Sequence, residues 1–361
     1  MDNLAIPSEF IQKALDGLPN RPREVIIKRF NLDGRGKKTL EQIGKDLGIT
    51  RERARQIEKD AFKKIAEADS REIGQYETLF KELISRHGGA MEYNFFLDKA
   101  IEYFKANYET EKQARFAEAS RIDSARLAAR QALILISGLT PGIKKNRETK
   151  KFKKLFYADI DSLRLAESAI GEILKIFESE NKPMRPPELL SRVRAAEEVL
   201  DSYLRISAEI AKNPYGEIGP KKWPRIFPRS ARDKAYLALF YKKEPAHFRK
   251  IAQIISASWP AAKRKVLAET VHNELIKDKR VVLVGRGIYA LAEWGYERGT
   301  APEIIKRVLE KAERPMSEEE IIREVSLKRL VKPSTIVLNL KNAEIFEKTE
   351  EGMYKLKVNV S

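Results

Sequence analysis

Four polar side chains around position 50 have the types and the spacing to make hydrogen bonds from one edge of a helix. The set consists of two pairs with a spacing of four residues: Arg51, Glu52, Arg55 and Gln56. Residues four apart lie on one helical face, and apolar Ala54, Ile57 and Ala61 would occupy the opposite face. Arginine can donate two hydrogen bonds to guanine, glutamate can accept one from cytosine, and glutamine can pair with adenine. The same set also suits a solvated charged face, so spacing alone leaves both interpretations open.

The overall charge favours a polyanionic partner for that face. The chain has 361 residues, with 70 Lys and Arg against 53 Asp and Glu, for a formal charge of +17. Nucleic acid is the first candidate for so basic a protein, and an anionic membrane surface is the second. No apolar stretch approaches the length that spans a bilayer, so we expect no membrane partner. The lack of cysteine excludes disulfides and thiolate metal sites, and it fits a reducing cytoplasm.

The sequence carries no pattern that indicates catalysis. The three histidines, His87, His247 and His272, are too dispersed for metal-ligand spacing. The triplet Gly285-Arg286-Gly287 lacks the third glycine and the strand-to-helix context of a dinucleotide site, so we interpret it as a hairpin turn. Neither a nucleophile motif nor a phosphate-binding loop occurs. We therefore expect no enzyme activity, no cofactor, no metal and no small-molecule substrate.

The elements that would position the polar face are a helix, a tight turn and a second helix. Thr39 is followed after three residues by Gln42, which is the spacing of a capping box at a helix start. Gly48 is a typical helix terminator, and Thr50 has the side chain of an N-cap for the helix that carries the polar face. This order predicts a helix-turn-helix.

A second order of elements recurs after Ser70: two or three helices, then a short strand pair with basic residues near its turn. In its clearest instance, strands over 281–284 and 288–291 flank the glycine-containing turn. Helices followed by a two-stranded wing form the winged-helix pattern. We predict a mostly α fold of tandem helix-turn-helix and winged-helix modules with short β-hairpin wings. The predicted modules are a helix-turn-helix at 1–70 and winged helices at 71–160, 161–229, 230–297 and 298–361.

Two segments carry a resemblance to a known family. Residues 18–34 read LPNRPREVIIKRFNLDG, and residues 39–58 read TLEQIGKDLGITRERARQIE. They resemble region 4 of bacterial sigma factors, whose patterns are LPxRExV, RFGLDG and TLEEIGxxLGVTRERVRQIE, with x for any residue. The match is nearly continuous over about fifty residues, so the solvated-face interpretation becomes the less favoured one. In that family the second helix of the pair lies in the major groove of the upstream promoter element.

The resemblance assigns roles to particular positions. Three residues match base-facing positions: Arg51, Glu52 and Gln56. Three others are expected to face the groove or the phosphates: Thr39, Arg53 and Arg55. Near the predicted wings, where phosphate contacts often fall, the candidate contacts are Lys144, Lys145 and Arg286.

The module at 230–297 carries a second resemblance. Its residues 245–252 and 271–275, with the ending GRGIYALAEW at 285–294, resemble the HARE-type helix-turn-helix. This winged domain is shared by the delta subunit of some bacterial RNA polymerases and by certain restriction and chromatin proteins. Delta has a long acidic tail, whereas residues 355–361 here contain lysines and no acidic residue. A role that depends on that tail is therefore not expected.

Together these features predict a transcription regulator or polymerase-associated factor that binds promoter-like double-stranded DNA. Core RNA polymerase is a candidate partner, and we expect a cytoplasmic, nucleoid-associated protein of a bacterium. Because the region 4 match starts within the first twenty residues, we do not expect a self-sufficient sigma factor. Two alternatives stay open: a DNA-recognition or accessory component of a restriction or defence system, and a polymerase-binding protein whose DNA contacts are incidental.

Overall fold

The protein is mostly α-helical, with short antiparallel strands between groups of helices. The computed structural model describes residues 4–112, 119–260 and 266–357. No helix in those ranges is both long enough and apolar enough to cross a membrane. The predicted fold class is confirmed.

Four helices form the N-terminal part and include the predicted helix-turn-helix: α1 (Pro7–Asp16), α2 (Asn20–Phe30), α3 (Leu40–Leu47) and α4 (Arg51–Ala68). The predicted capping box is present, because the hydroxyl of Thr39 accepts from the backbone of Gln42 while the Gln42 side chain accepts from the backbone of Thr39. Gly48 ends α3 in the left-handed region at φ 63°, which glycine adopts without steric cost. The Thr50 hydroxyl then caps α4 by accepting from the backbone of Arg53 at 3.1 Å. The local elements therefore follow the sequence signals.

A first group of helices and strands follows directly: α5 (Ser70–Arg86), β1 (Ala90–Glu92), α6 (Tyr93–Lys112), α7 (Ala119–Leu139), β2 (Lys144–Asn146) and β3 (Leu155–Tyr157). β3 is the central strand of an antiparallel sheet, with β1 on one side and β2 on the other. Lys145 lies opposite Phe156 in the β2–β3 register. This order of three helices and a three-stranded sheet is that of a winged helix. We call the β2–β3 hairpin with its connection 147–154 the first wing.

The N-terminal helices and this first group share one hydrophobic core. The Phe10 ring of α1 lies 5.3 Å from the Tyr76 ring of α5, measured between centroids. The buried Tyr76 hydroxyl donates to the backbone oxygen of Ala5 at 2.6 Å. α1 and α2 also pack on α7. The helix-turn-helix is thus anchored on the group that carries the first wing.

A similar order of elements recurs three more times in the described residues, although the second and fourth groups have no strand after their first helix. The second group contains α8 (Ile160–Glu180), α9 (Pro186–Leu190), α10 (Glu197–Ile206), β4 (Ile210–Lys212) and β5 (Ile218–Pro220). The third contains α11 (Ala231–Lys242), β6 (Ala246–His247), α12 (Phe248–Ser258), α13 (Ala268–Lys277), β7 (Val281–Gly285) and β8 (Ile288–Leu291). The fourth contains α14 (Ala301–Ala312), α15 (Glu318–Lys328), α16 (Pro333–Leu340), β9 (Phe346–Lys348) and β10 (Tyr354–Leu356). We call the β7–β8 hairpin the third wing.

The chain divides into two compact units, Met1–Ala211 with Ile218–Pro220 and Lys212–Glu217 with Lys221–Ser361. The first unit contains the helix-turn-helix and the first wing, and the second contains the third wing. Because each unit holds more than one expected module, the five-module division stays a prediction.

Candidate nucleic-acid interface

The tight turn between α3 and α4 depends on a glycine that the motif analysis did not single out. A Cβ at Gly44 would lie 2.7 Å from the backbone oxygen of Ile49 and 3.3 Å from the carbonyl carbon of Thr50. Contacts that short require the backbone to move, so α3 and α4 approach this closely only because position 44 has no side chain. Its place four residues before the terminating Gly48 is the sequence signal that could have revealed it.

The polar face predicted on α4 is exposed, and its apolar face is buried. Ala54 and Ala61 are at most 1% exposed and pack toward the cores of the first unit. The five predicted contact residues of this helix are exposed to solvent: Arg51, Glu52, Arg53, Arg55 and Gln56. The structure therefore brings together on one surface the side chains that the spacing grouped. Their contact with bases stays a prediction.

Two of these side chains already bind each other. The Arg55 guanidinium donates to both carboxylate oxygens of Glu52, at 2.6–3.0 Å. This hydrogen bonding lowers the pKa of Glu52 below its usual range, so the carboxylate stays charged at neutral pH. Within the part of the chain that the structure describes, Arg51 and Gln56 make no side-chain hydrogen bond or ion pair. The same holds for the Arg53 guanidinium, since only the backbone of that residue is hydrogen-bonded, to the Thr50 hydroxyl.

Thr39 lies at the exposed start of α3. Its hydroxyl takes part in the capping box, so a phosphate contact would use the remaining capacity of the same oxygen. The loop before it is held by two hydrogen bonds, from the Lys38 backbone to the Lys28 oxygen at 3.0 Å and from the Arg29 guanidinium to the Lys38 oxygen at 3.3 Å. Arg29 also pairs with Glu58 on α4 at 3.1 Å. These contacts fix the α2–α3 loop relative to the polar face of α4.

The predicted wing residues lie on two separate hairpins. Lys144 and Lys145 are on β2, and both are exposed. The Lys145 ammonium lies 5.0 Å from the centres of the Tyr93 and Phe156 rings. Desolvation against those rings, with repulsion from Lys154 and Lys37, lowers the pKa of Lys145 to about 8. Lys37 did not stand out in the sequence.

Arg286 occupies the turn of the third wing and is exposed. The turn is close to other side chains, because a Cβ at Gly287, which has φ 70°, would lie 2.6 Å from the His247 ring. His247 itself caps α12, and the His272 ring lies 2.9 Å from the Tyr289 hydroxyl. Both histidines therefore have structural contacts.

Comparison with known proteins identifies the helix-turn-helix segment. The family described as Sigma-70, region 4 matches residues 14–67, from the end of α1 through α4. The RNA polymerase sigma factor sigB of Arabidopsis thaliana is 46% identical over 55 residues, which are 15% of this chain and 10% of that protein. The sigma factor RpoD of Helicobacter pylori is 52% identical over 56 residues, 15% of this chain and 8% of RpoD. SigA of Nostoc sp. is 47% identical over 57 residues, 16% of this chain and 15% of SigA. The chain thus spans at most 15% of the length of these three sigma factors, and its N-terminal module is similar to their region 4.

Proposed function

We propose that this chain is a DNA-binding regulator, or a polymerase-associated factor, that acts at transcription initiation by placing α4 in the major groove of promoter-like DNA. The observation that carries this proposal is the exposed pair Arg51 and Gln56, whose side chains make no other hydrogen bond in the described ranges. They lie on a helix whose opposite face is buried in a shared core. The match of residues 14–67 to sigma region 4 supports a DNA-binding role for this module.

The proposed readout follows from the donors and acceptors on the helix. Arg51 can donate both arms of its guanidinium to one guanine, and Gln56 can make two hydrogen bonds to one adenine. A bidentate contact of this kind contributes about 1–3 kcal/mol of discrimination against the wrong base. Because α4 is held on the shared core, its backbone is already in place, and ordering the two exposed side chains costs about 0.5–1.5 kcal/mol each.

The Glu52–Arg55 pair extends the same surface. In the free protein the two charges neutralise each other at the edge of the helix. If Arg55 turns to a phosphate, the Glu52 carboxylate becomes available to the amino group of cytosine. The ion pair between Glu52 and Arg55 would then be replaced by two contacts with DNA, one from each side chain.

Competition binding against single-base variants of the preferred site tests the base readout. Arg51→Ala and Gln56→Ala are each expected to lose about 1–3 kcal/mol of discrimination at one base position. Lys64→Ala is the matched control, because Lys64 is also exposed on α4 but lies about two turns beyond Gln56, outside the polar face. Equal weakening on every sequence would mean that Arg51 and Gln56 contact only phosphate.

The third group of elements belongs to the proposal through its likeness to HARE-type domains. It has the helix and strand order of a winged helix, and it presents Arg286 at the tip of its hairpin. Because such domains also occur in restriction proteins, a DNA-recognition component of a restriction or defence system is the second candidate. Purification of the chain with its bound proteins separates the two: core RNA polymerase supports a role in initiation, and a nuclease or methyltransferase supports the alternative.

A further inference from the structure

Two lysines of the first wing lie beside one aromatic ring in the first unit, and a third lysine, from the α2–α3 loop, adds its charge to theirs. The Lys154 ammonium lies 3.3 Å from the centre of the Tyr93 ring, and the Lys145 ammonium lies 5.0 Å from the same centre. Tyr93 stacks on Phe156 with an angle of 16° between the ring planes. Lys37, from the α2–α3 loop, is near enough to lower the pKa of both Lys145 and Lys154 by repulsion. We call these three residues the lysine cluster.

The lysine cluster holds positive charge without an acidic partner. Within residues 4–112, 119–260 and 266–357, none of its three side chains forms an ion pair with a carboxylate. The Glu92 carboxylate raises the pKa of Lys154 slightly by attraction, without forming an ion pair with it. That carboxylate accepts hydrogen bonds from the backbone of Asn94 and Phe95, both at 2.9 Å. Contact with the aromatic face offsets part of the repulsion, and a bound anion would offset the rest.

The position of the lysine cluster fits the interface on α4. Lys37 is two residues before Thr39, the cap of α3, in the loop held by Lys38 and Arg29. Lys145 and Lys154 are held by the β1–β3–β2 sheet, whose Phe156 is part of the shared core. The helix-turn-helix and the first wing therefore contribute to one preorganised group of cations.

We propose that Lys37, Lys145 and Lys154 form a single binding site for a backbone phosphate of the DNA duplex that α4 contacts. This inference rests on the proposed function. Lysine ammonium groups act as point charges toward phosphate. Three of them around one phosphate oxygen would bind it whatever the neighbouring bases are. The site would therefore add affinity without sequence preference, and it would set how the duplex lies across the first unit.

Phosphate binding at this site takes up a proton above neutral pH. The free Lys145 has a pKa of about 8, and a bound phosphate favours its charged form, which raises that pKa. Affinity is therefore greatest below pH 8 and falls as the pH rises. Between pH 7 and pH 9 the loss is about fivefold if the bound phosphate raises the pKa by one unit, and it approaches about tenfold if the pKa rises further. Burial raises the pKa of the neighbouring Tyr93 hydroxyl, which stays neutral over this pH range. The other titratable groups nearby keep their charge: Lys154 and Lys37 act on Lys145, Glu92 acts on Lys154, and Arg130 acts on Tyr93.

Duplex binding by the full-length chain tests the site, with salt titrations of the double variant Lys145→Gln/Lys154→Gln. We expect the variant to lose about five- to tenfold in affinity and to lower the log-log salt slope by about one, with its base preference unchanged. The control is Lys105→Gln/Lys175→Gln, which removes two exposed lysines from other helices of the first unit. Unchanged affinity and slope in the cluster variant would overturn the inference.

The charge-retaining variant Lys145→Arg/Lys154→Arg provides a second readout. We expect this variant to bind like the wild type at pH 7 and to keep the same affinity up to pH 9, because a guanidinium group does not titrate in that range. Retention of that decrease would contradict the assignment to Lys145. If the wild type binds no duplex, the proposed function fails. If the wild type binds with a base preference that Arg51→Ala removes, but Lys145→Gln/Lys154→Gln binds like its control, only the phosphate-site inference fails. Equal affinity for single-stranded RNA would also overturn it.

Discussion

The first and third wings occupy the same place in the order of elements but differ in what surrounds them. The first wing carries exposed cations, Lys144 and Lys145 on β2 and Lys154 at the end of its connection. The third wing is apolar, and Val282, Val284 and Ala290 form a buried cluster of their own. The connection of the first wing also pairs with the second group, through hydrogen bonds of 2.8 Å from Lys153 to Ile206 and from Ala208 to Lys151. Its exposed cations therefore distinguish it from the third wing, whose strands pack within their own unit.

The outer edge of β7 in the third wing is hydrogen-bonded to the fourth group of elements. The backbone of Leu330 donates to the Val284 oxygen at 3.0 Å, and the Arg329 guanidinium donates to the Leu283 oxygen at 2.9 Å. Both donors follow α15 in the fourth group of elements. An edge strand that is paired in this way is no longer available for other partners. The comparison teaches that element order alone does not tell which wing of a tandem array contacts DNA.

The largest expected effect is on the stability of the second unit. Val284 is fully buried, so Val284→Asp places a carboxylate without a partner in the apolar cluster. We expect the free energy of unfolding to fall by about 3 kcal/mol or more. Tryptophan fluorescence during denaturation reports on this unit, because Trp223, Trp259 and Trp294 all lie within it. Lys144→Asp on the first wing is the counterpart and should leave that transition unchanged. A shift of equal size in both variants would refute the comparison.

Local signals in the sequence predicted the parts of this fold that depend on neighbouring residues. The Thr39–Gln42 capping box, the terminating Gly48 and the strands of the third wing all follow from spacings of a few residues. Contacts between distant segments leave no such signal. The pairing of Leu330 with Val284 is one example, because hydrophobic periodicity describes one element at a time.

The candidate site divides in the same way. The exposed face of α4 could be predicted, since burial follows helical period over four residues. The lysine cluster could not, because Lys37 and Lys145 are brought together only by the core that joins α2 and α7. The engagement of Glu52 by Arg55 was also missed, although a spacing of three residues permits such a pair.

A smaller effect is expected from uncovering the edge of β7. Arg329→Ala removes the guanidinium that binds the Leu283 oxygen and leaves that oxygen to water. We expect a loss of about 1 kcal/mol in the free energy of unfolding of the second unit, since the bond is only partly shielded from solvent. DNA affinity should not change. Arg323→Ala on the exposed side of α15 is the control, and a control that is destabilised equally would show that the edge contact is not the cause.

The smallest expected effect concerns Arg286, the cation at the tip of the third wing. The side chain is exposed, so Arg286→Gln should leave the unfolding of the second unit within about 0.5 kcal/mol of the wild type. In duplex binding we expect a loss of at most about twofold, less than a full phosphate contact contributes, because the strands behind this residue are apolar and supply no further charge. The measurement is the salt titration used for the lysine cluster, with the two variants compared at the same ionic strengths. If Arg286→Gln lowers affinity and salt slope as much as Lys145→Gln/Lys154→Gln does, both wings contact DNA with similar weight. The contrast between a ligand-facing first wing and a packing third wing would then be wrong, and the hairpin would serve both purposes at once.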